Sequence, residues 1–254
     1  MTSLMKQILV RADDLGFSEG VNYGIEKSVK EGIIRSVGVM TNMPASEHGV
    51  NLLKDCAVCL GLHTNICVGT PLTDPDLIPS IIGENGEFKT SKQYRSTKED
   101  FVVLDEVILE IEAQYQRFVE LTGQKPRYFE GHAVMSDNFI KGMEIVAKRH
   151  DCDYLPFSFT GPVQFRNTLL YASMDSMGPN YDPFESLKRS SLKNYGENGM
   201  CMFVCHPGYL DAYIMKKSSL LEPRVLEVEM CCSQETKGWL KENNIEIVTY
   251  DDLK

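Results

Sequence analysis

The sequence predicts an α/β protein, and three observations carry that prediction. Short apolar runs of strand character alternate with amphipathic helical segments, the pattern of parallel strands joined by helical crossovers. Several of these runs stop at an ionisable residue: Asp13 and Asp14 early in the chain, then His63, His132 and His206. The length of 254 residues suits a single α/β barrel of about 250 residues or two modest domains, and no Pro-, Gly- or Ser-rich linker divides it. In such folds the loops at the C-terminal ends of parallel strands converge on one pocket, so the strand-end residues are the candidate site.

The chain is organised around Ile8-Leu9-Val10-Arg11-Ala12-Asp13-Asp14-Leu15-Gly16-Phe17. An apolar strand ends there in two carboxylates, Gly16 permits a tight turn, and Ser18 is placed to cap a helix. That helix runs from Ser18 to Glu31, with Val21, Ile25 and Val29 on one face and Gly32 past its end. Ser36 to Thr41 reads as a strand, Ala45 to Lys54 as a helix with Val50 and Leu53 inward, and Ala57 to His63 as a strand. From Thr64 to Arg95 the periodicity breaks, with Pro71, Pro75, Pro79, Gly83 and Gly86. Its apolar residues, Leu72, Leu77, Ile78, Ile81, Ile82 and Phe88, favour a packed lid or substrate-binding loop over disorder.

Ser96 opens a long helix to about Thr122, with Val103, Val107, Ile111, Tyr115 and Phe118 on one face and Gly123 as its stop. A strand at Arg127 to Glu130 ends at Gly131-His132, and Asn138 to His150 is the next helix. Tyr154 to Phe157 reads as a short strand, while residues 158–183 show no assignable period. Phe184 to Asn194 is helical. Met200 to Cys205 is a continuous apolar run, as in a strand buried on both faces, and it stops at His206-Pro207-Gly208-Tyr209. Helices from Leu221 to Cys232 and Ser233 to Glu242 and a strand from Ile245 to Thr249 follow.

A formal net charge of −10 argues against a nucleic-acid or anionic-membrane surface. No apolar stretch is long enough to span a bilayer, and Met1 to Gln7 lacks the features of a cleavable leader, so a cytoplasmic protein is expected. The eight cysteines lie mostly in apolar segments and read as free thiols. Cys56 and Cys59 have redox or zinc spacing, but no second Cys/His pair follows at finger-like distance. There is no Gly-x-Gly-x-x-Gly after a strand, no phosphate loop and no Gly-x-Ser-x-Gly elbow.

Asp oxygen and His nitrogen are ligands for divalent ions, and one Asp with two His suits a catalytic site that keeps open positions. The remaining Asp and His then serve as base and acid. Each residue alone has a plainer explanation: a histidine hydrogen-bonded at a strand end, or aspartates acting as helix cap and solvated neighbour. Jointly they weigh more, because three of five histidines end predicted strands while His48 and His150 lie in predicted helices. The pattern points to metal-assisted hydrolysis. Neighbouring side chains on a regular strand face opposite ways, so Asp13 and Asp14 share a site only if the strand is already turning. A glycosidase would need carboxylates about 5 to 9.5 Å apart, hence a partner such as Glu130. A metal-dependent isomerase or phosphoesterase would want a phosphate clamp, and near these strand ends the cation is chiefly Arg11.

Ala12-Asp13-Asp14-Leu15-Gly16 resembles the Asp-Asp motif of the YdjC-like carbohydrate deacetylases, the group containing chitooligosaccharide deacetylases. Gly61-Leu62-His63 with Gly69-Thr70-Pro71-Leu72 and Gly83-Glu84-Asn85-Gly86-Glu87-Phe88 is similar to that family's second block. His206-Pro207-Gly208-Tyr209 is similar to its last, and Arg224 and Glu227 also fit. The resemblance covers nearly the whole chain and implies a single-domain distorted TIM-like (β/α) barrel over residues 1–254. It further implies a homodimer, one divalent metal ion (Mg2+ or Zn2+) and removal of an acetyl group from an N-acetylated mono- or oligosaccharide. Two histidine ligands favour zinc by type, whereas the family is often described with magnesium. By the resemblance Asp14, His63 and His132 are metal ligands, Asp13 the general base and His206, protonated, the general acid. The family's fourth block reads Asp-Ser-His-x-His-x-His, whereas Glu130-Gly131-His132-Ala133-Val134-Met135-Ser136 keeps only the first histidine. The alternative is a non-catalytic N-acetyl-sugar-binding or regulatory protein descended from a deacetylase. Retained Asp13 and His206, which binding alone does not require, favour the enzyme.

Overall fold

Alternation along the first strand, β1 (Lys6–Leu15), sets the layers of the molecule. Ile8, Val10 and Ala12 join the apolar core shared with the helices, while Leu9 joins a second core inside the curl of the sheet. The computed structural model describes residues 6–158 and 160–254. Residues 1–5, on which the leader reading chiefly rests, and Phe159 lie outside the described residues.

From β1 the chain passes through α1 (Glu19–Lys30), β2 (Ser36–Val39), α2 (Ser46–Leu53) and β3 (Cys59–Thr64). Next come α3 (Ser91–Ser96), α4 (Leu104–Thr122), β4 (Phe129–Gly131) and α5 (Asp137–Arg149). The hairpin of β5 (Val163–Phe165) and β6 (Thr168–Ser173) is followed by α6 (Pro183–Leu192) and β7 (Gly199–Cys205). The order ends with α7 (Ile214–Lys217), α8 (Glu222–Cys232), α9 (Gln234–Glu242) and β8 (Ile245–Val248). The sheet runs β4-β3-β2-β1-β7-β6-β5, with β8 also paired to β1. Every pairing is parallel except β5 with β6. β1 serves three neighbours: β8 along Lys6–Leu9, β7 along Ile8–Ala12 and β2 along Arg11–Leu15. The sheet curls into a half-barrel flanked by helices, the distorted TIM-like barrel that was expected.

Most expected elements form, and their local chemistry explains their ends. Ser18 accepts the Val21 N–H as the cap of α1, and Gly123 closes α4 in the left-handed conformation. The long helix expected from Ser96 begins only at Leu104, as α4; α3 falls, but for Ser96, in the segment read as aperiodic, and the stretch between the two is non-helical. Asp100, in that stretch, accepts bonds from the Ser136 hydroxyl and Asn138 N–H at the start of α5, which holds the chain out of helical geometry. Val103 is accordingly 47% exposed rather than inward. Tyr154 makes one bridge to Phe129 and no longer strand, and the unassigned stretch contains the β5–β6 hairpin, turned at Arg166 with φ 51°. No helix among the described residues is long and apolar enough to cross a membrane, and all eight cysteines are free thiols.

Side-chain parity delivers the candidate residues to the concave face. On β3, Leu60 and Leu62 pack toward the helices, leaving Cys59, Gly61 and His63 inward. Around β4, Phe129 packs outward, leaving Tyr128 and Glu130 inward, and His132 follows at the same parity. On β7, Met200, Met202 and Val204 face inward, and His206 follows in that series. Close packing constrains this interior, because a Cβ on Gly61 would lie 2.2 Å from the Tyr128 ring. Gly61→Ala is therefore expected to lower stability by about 1–3 kcal/mol, read from the midpoint of urea unfolding. An unchanged midpoint would mean that the Tyr128 ring has room to retreat.

Candidate active site

The site begins with a fault in β1. Ala12 pairs with Val37 but Leu15 with Val39, so one extra residue sits on β1 as a bulge. Asp14 takes the left-handed conformation, φ 75°, and Leu15 then packs in the helix-side core. The turn expected near Gly16 thus begins at Asp14, and this lets Asp13 and Asp14 reach one pocket. Gly16 is still required: its φ is +102°, and a Cβ there would meet the Met40 carbonyl oxygen at 2.5 Å. Its N–H donates to Asn22 Oδ1 at 2.7 Å, pinning the turn to α1.

Three ligand-type atoms converge. Asp14 Oδ1 lies 3.2 Å from His63 Nε2 and 3.1 Å from His132 Nδ1, and those nitrogens are 2.9 Å apart. Asp14 Oδ1 is buried with no hydrogen-bond partner, although two imidazole nitrogens crowd it. One carboxylate oxygen and two imidazole nitrogens at such separations fit a divalent ion bonded at about 2.0–2.2 Å. Asp13, His63 and Glu130 form a second close group, but Arg11 is already paired with both of its carboxylates. His206 Nδ1 is likewise buried and unpartnered, whereas Asp13 Oδ1 meets Arg11 Nε at 2.7 Å. All five predicted residues line one cavity of about 420 Å3.

Two arginines hold the carboxylates. Arg224 on α8 donates Nη2–H to Asp14 Oδ2 at 2.7 Å and Nη1–H to the His206 carbonyl at 3.4 Å. Arg11 donates Nη2–H to Asp13 Oδ2 at 2.7 Å and Nη1–H to the Tyr250 hydroxyl at 3.1 Å. Glu227 on α8 accepts the His206 backbone N–H at 2.6 Å and the Tyr181 hydroxyl at 2.8 Å. The segment after His63 is tied down by Glu110 and Gln114 of α4, which bond Leu72, Thr73 and Asn65. It brings Cys67, Val68, Ser91 and Arg95 to the cavity wall. Lys217, also on the cavity wall, pairs with Glu87 at 2.8 Å.

Burial works against the charge on Asp14, yet Arg224 and then His132 hold its carboxyl well below the usual range. Burial likewise opposes protonation of His63 and His132. Glu130 and Asp13 hold His63 well above its ordinary value, and Asp14 lifts His132 to about 9. His206 differs, because burial pushes it down to about 4, with Asp14 and Asp13 opposing. It therefore rests neutral near pH 7, contrary to the expectation of a protonated imidazole. Burial raises Glu227 to about 7.

Arg11, Glu130 and Tyr181 were not assigned these roles from sequence. Arg11 precedes Asp13 by two residues and Glu130 precedes His132 by two, so strand parity is a signal for both. Tyr181 follows a stretch without periodicity and gives none.

The model of the YdjC-like protein family matches residues 7–242. A Listeria innocua protein named carbohydrate deacetylase 2 is 30% identical over 97% of this chain and 98% of its own. A carbohydrate deacetylase of Halalkalibacterium halodurans is 32% identical over 88% of this chain and 94% of its own. Among solved structures, an Enterococcus faecalis protein described as a candidate cellobiose-phosphate cleavage protein superposes with a TM-score of 0.81. It shares 21% identity and covers 97% of this chain and 98% of that chain.

The histidine shifts have a consequence for the metal-free protein. A folded-state value of about 9 for His132 against an ordinary 6.5 stabilises the fold in full below about pH 6.5. That stabilisation is lost as pH rises through about 9. His132→Gln should flatten this dependence in urea melts from pH 6 to 10; an equal slope in the variant would remove His132 as its source.

Proposed function

The chain belongs to the YdjC-like family, and from that premise we propose that it is a metal-dependent carbohydrate deacetylase acting on an N-acetylated mono- or oligosaccharide. The observation that carries the reading is the convergence of Asp14 Oδ1, His63 Nε2 and His132 Nδ1 within 3.2 Å of one another, beside the Arg11-held Asp13 carboxylate and the unpartnered His206 Nδ1. We take residues 1–254 as one domain, a reading supported by a single sheet that gathers all five groups.

Asp14, His63 and His132 would hold the divalent ion, Mg2+ or Zn2+. When bound it supplies Lewis-acid polarisation of the acetyl carbonyl and makes water more acidic. Arg224 keeps Asp14 ionised and oriented for that task. Asp13 is the general base. Arg11 grips both of its oxygens, Nη2 on Oδ2 and Nε on Oδ1 at 2.7 Å each, and so orients the carboxylate that takes a proton from attacking water. Water adds to the acetyl carbon, the C–N bond breaks, and acetate and the free amine leave. The amine needs a proton as it departs. His206 is the acid in this scheme, but its neutral resting state means that it must first gain a proton within the turnover. Asp13, whose charge His206 senses, holds such a proton after the water is cleaved. Glu227 and Arg224 fix the His206 backbone from both sides, so the imidazole is presented from a rigid strand end.

Metal-stripped protein should release no acetate from short N-acetylglucosamine oligomers, and added Mg2+ or Zn2+ should restore release. Saccharide binding by the metal-loaded protein with no acetate formed would replace this reading with the sugar-binding alternative. His63→Ala and His132→Ala are expected to abolish ion binding in calorimetry. His206→Ala should keep the ion and lose about 10²–10⁴-fold in kcat. An unchanged kcat in His206→Ala would refute the acid role.

A further inference from the structure

We propose that Glu130 is the positioning residue of this site: its carboxylate accepts the Nδ1–H of His63 and so presents His63 Nε2 as the bare nitrogen that takes the ion. The inference rests on the metal-site reading of Asp14, His63 and His132. A neutral imidazole carries one proton on one of two nitrogens, and only the Nδ1–H form leaves Nε2 free. Glu130 Oε1 meets His63 Nδ1 in a direct, very short contact.

The contact follows from strand register. His63 and Glu130 are Cα partners across the parallel β3–β4 pair, and both side chains face the concave side. Glu130 is 5% exposed, so its charge needs a counter-ion. Arg11 Nη2 supplies one at 3.6 Å from Oε2, leaving Oε1 to His63. Asp13 is near, but Arg11 holds both of its oxygens at 2.7 Å, Nη2 on Oδ2 and Nε on Oδ1. The guanidinium therefore divides the two carboxylates between two tasks. Gly38 on β2 provides the space: a Cβ there would lie 3.0 Å from Glu130 Oε1, 3.1 Å from Asp13 Oδ1 and 3.2 Å from His63 Cβ. A carboxylate on the distal nitrogen also makes the imidazole a stronger ligand.

The test is calorimetric titration of Zn2+, and separately Mg2+, into metal-stripped wild type, Glu130→Ala and Glu130→Gln, each first shown to melt cooperatively. Glu130→Ala is expected to bind about 10–100-fold more weakly. Glu130→Gln should lose less, because its amide oxygen still accepts the Nδ1–H. In the zinc-loaded wild type, 15N spectra should show His63 protonated at Nδ1 and metal-bound at Nε2. A folded Glu130→Ala with wild-type affinity overturns the proposal, as does metal bound at His63 Nδ1. Should Glu130→Ala not fold, Gly38→Ala takes its place: crowding Oε1 should also weaken the ion, and unchanged affinity overturns the proposal. A wild type that takes neither ion overturns the metal-site reading and this inference with it. Equal binding by wild type and variants overturns only the role of Glu130.

Discussion

The bulge between Ala12 and Leu15 is the constraint on which the site depends. A regular β1 would send Asp13 and Asp14 to opposite faces, one toward the cavity and one into the helix-side core. The extra residue turns both into the same space and returns Leu15 to that core. Everything that meets there, from β3, β4, β7 and α8, is arranged about a strand that stops being regular one residue early. The three-sided pairing of β1 helps hold the distortion in place, since β7, β8 and β2 bracket the strand up to and past it.

Charge balance is the second organising fact. Asp13, Asp14 and Glu130 are each at most 5% exposed, and Arg11 and Arg224 are the buried cations that answer them. Two cations do not neutralise three carboxylates. The raised values of His63 and His132 show how the protein closes the gap without an ion: the imidazoles take protons. A divalent ion bound there would do the same with two charges at one point, and would compete with the protons for the same nitrogens. His206 stands apart from this exchange because burial keeps it neutral.

Much of this was legible in the sequence. Asp13, Asp14, His63, His132 and His206 were identified as strand-end residues, and the structure gathers all five around one cavity. Strand parity was in principle readable for His63, His132 and His206, which continue the inward series of their own strands. The bulge was not readable: Gly16 announced a turn, but the backbone departs at Asp14, a residue that tolerates positive φ without advertising it. The gap between α3 and α4 depends on Asp100 bonding residues at the start of α5, a tertiary contact that no local period encodes. β5 has three residues, too few to show alternation. The partnership of Glu130 with His63 depends on register between two strands that are 67 residues apart in the chain.

The left-handed backbone at Asp14 also limits how this position can change. Few residues enter that conformation readily: glycine at no cost, asparagine and aspartate with help from their short polar side chains. Of these, only aspartate brings a negative charge to the two histidines and to Arg224. Backbone and chemistry thus select the same residue for independent reasons, and the two demands can be separated. Asparagine or glycine at this position in a related chain would preserve the turn and discard the charge, marking a lineage that kept the architecture after abandoning the reaction.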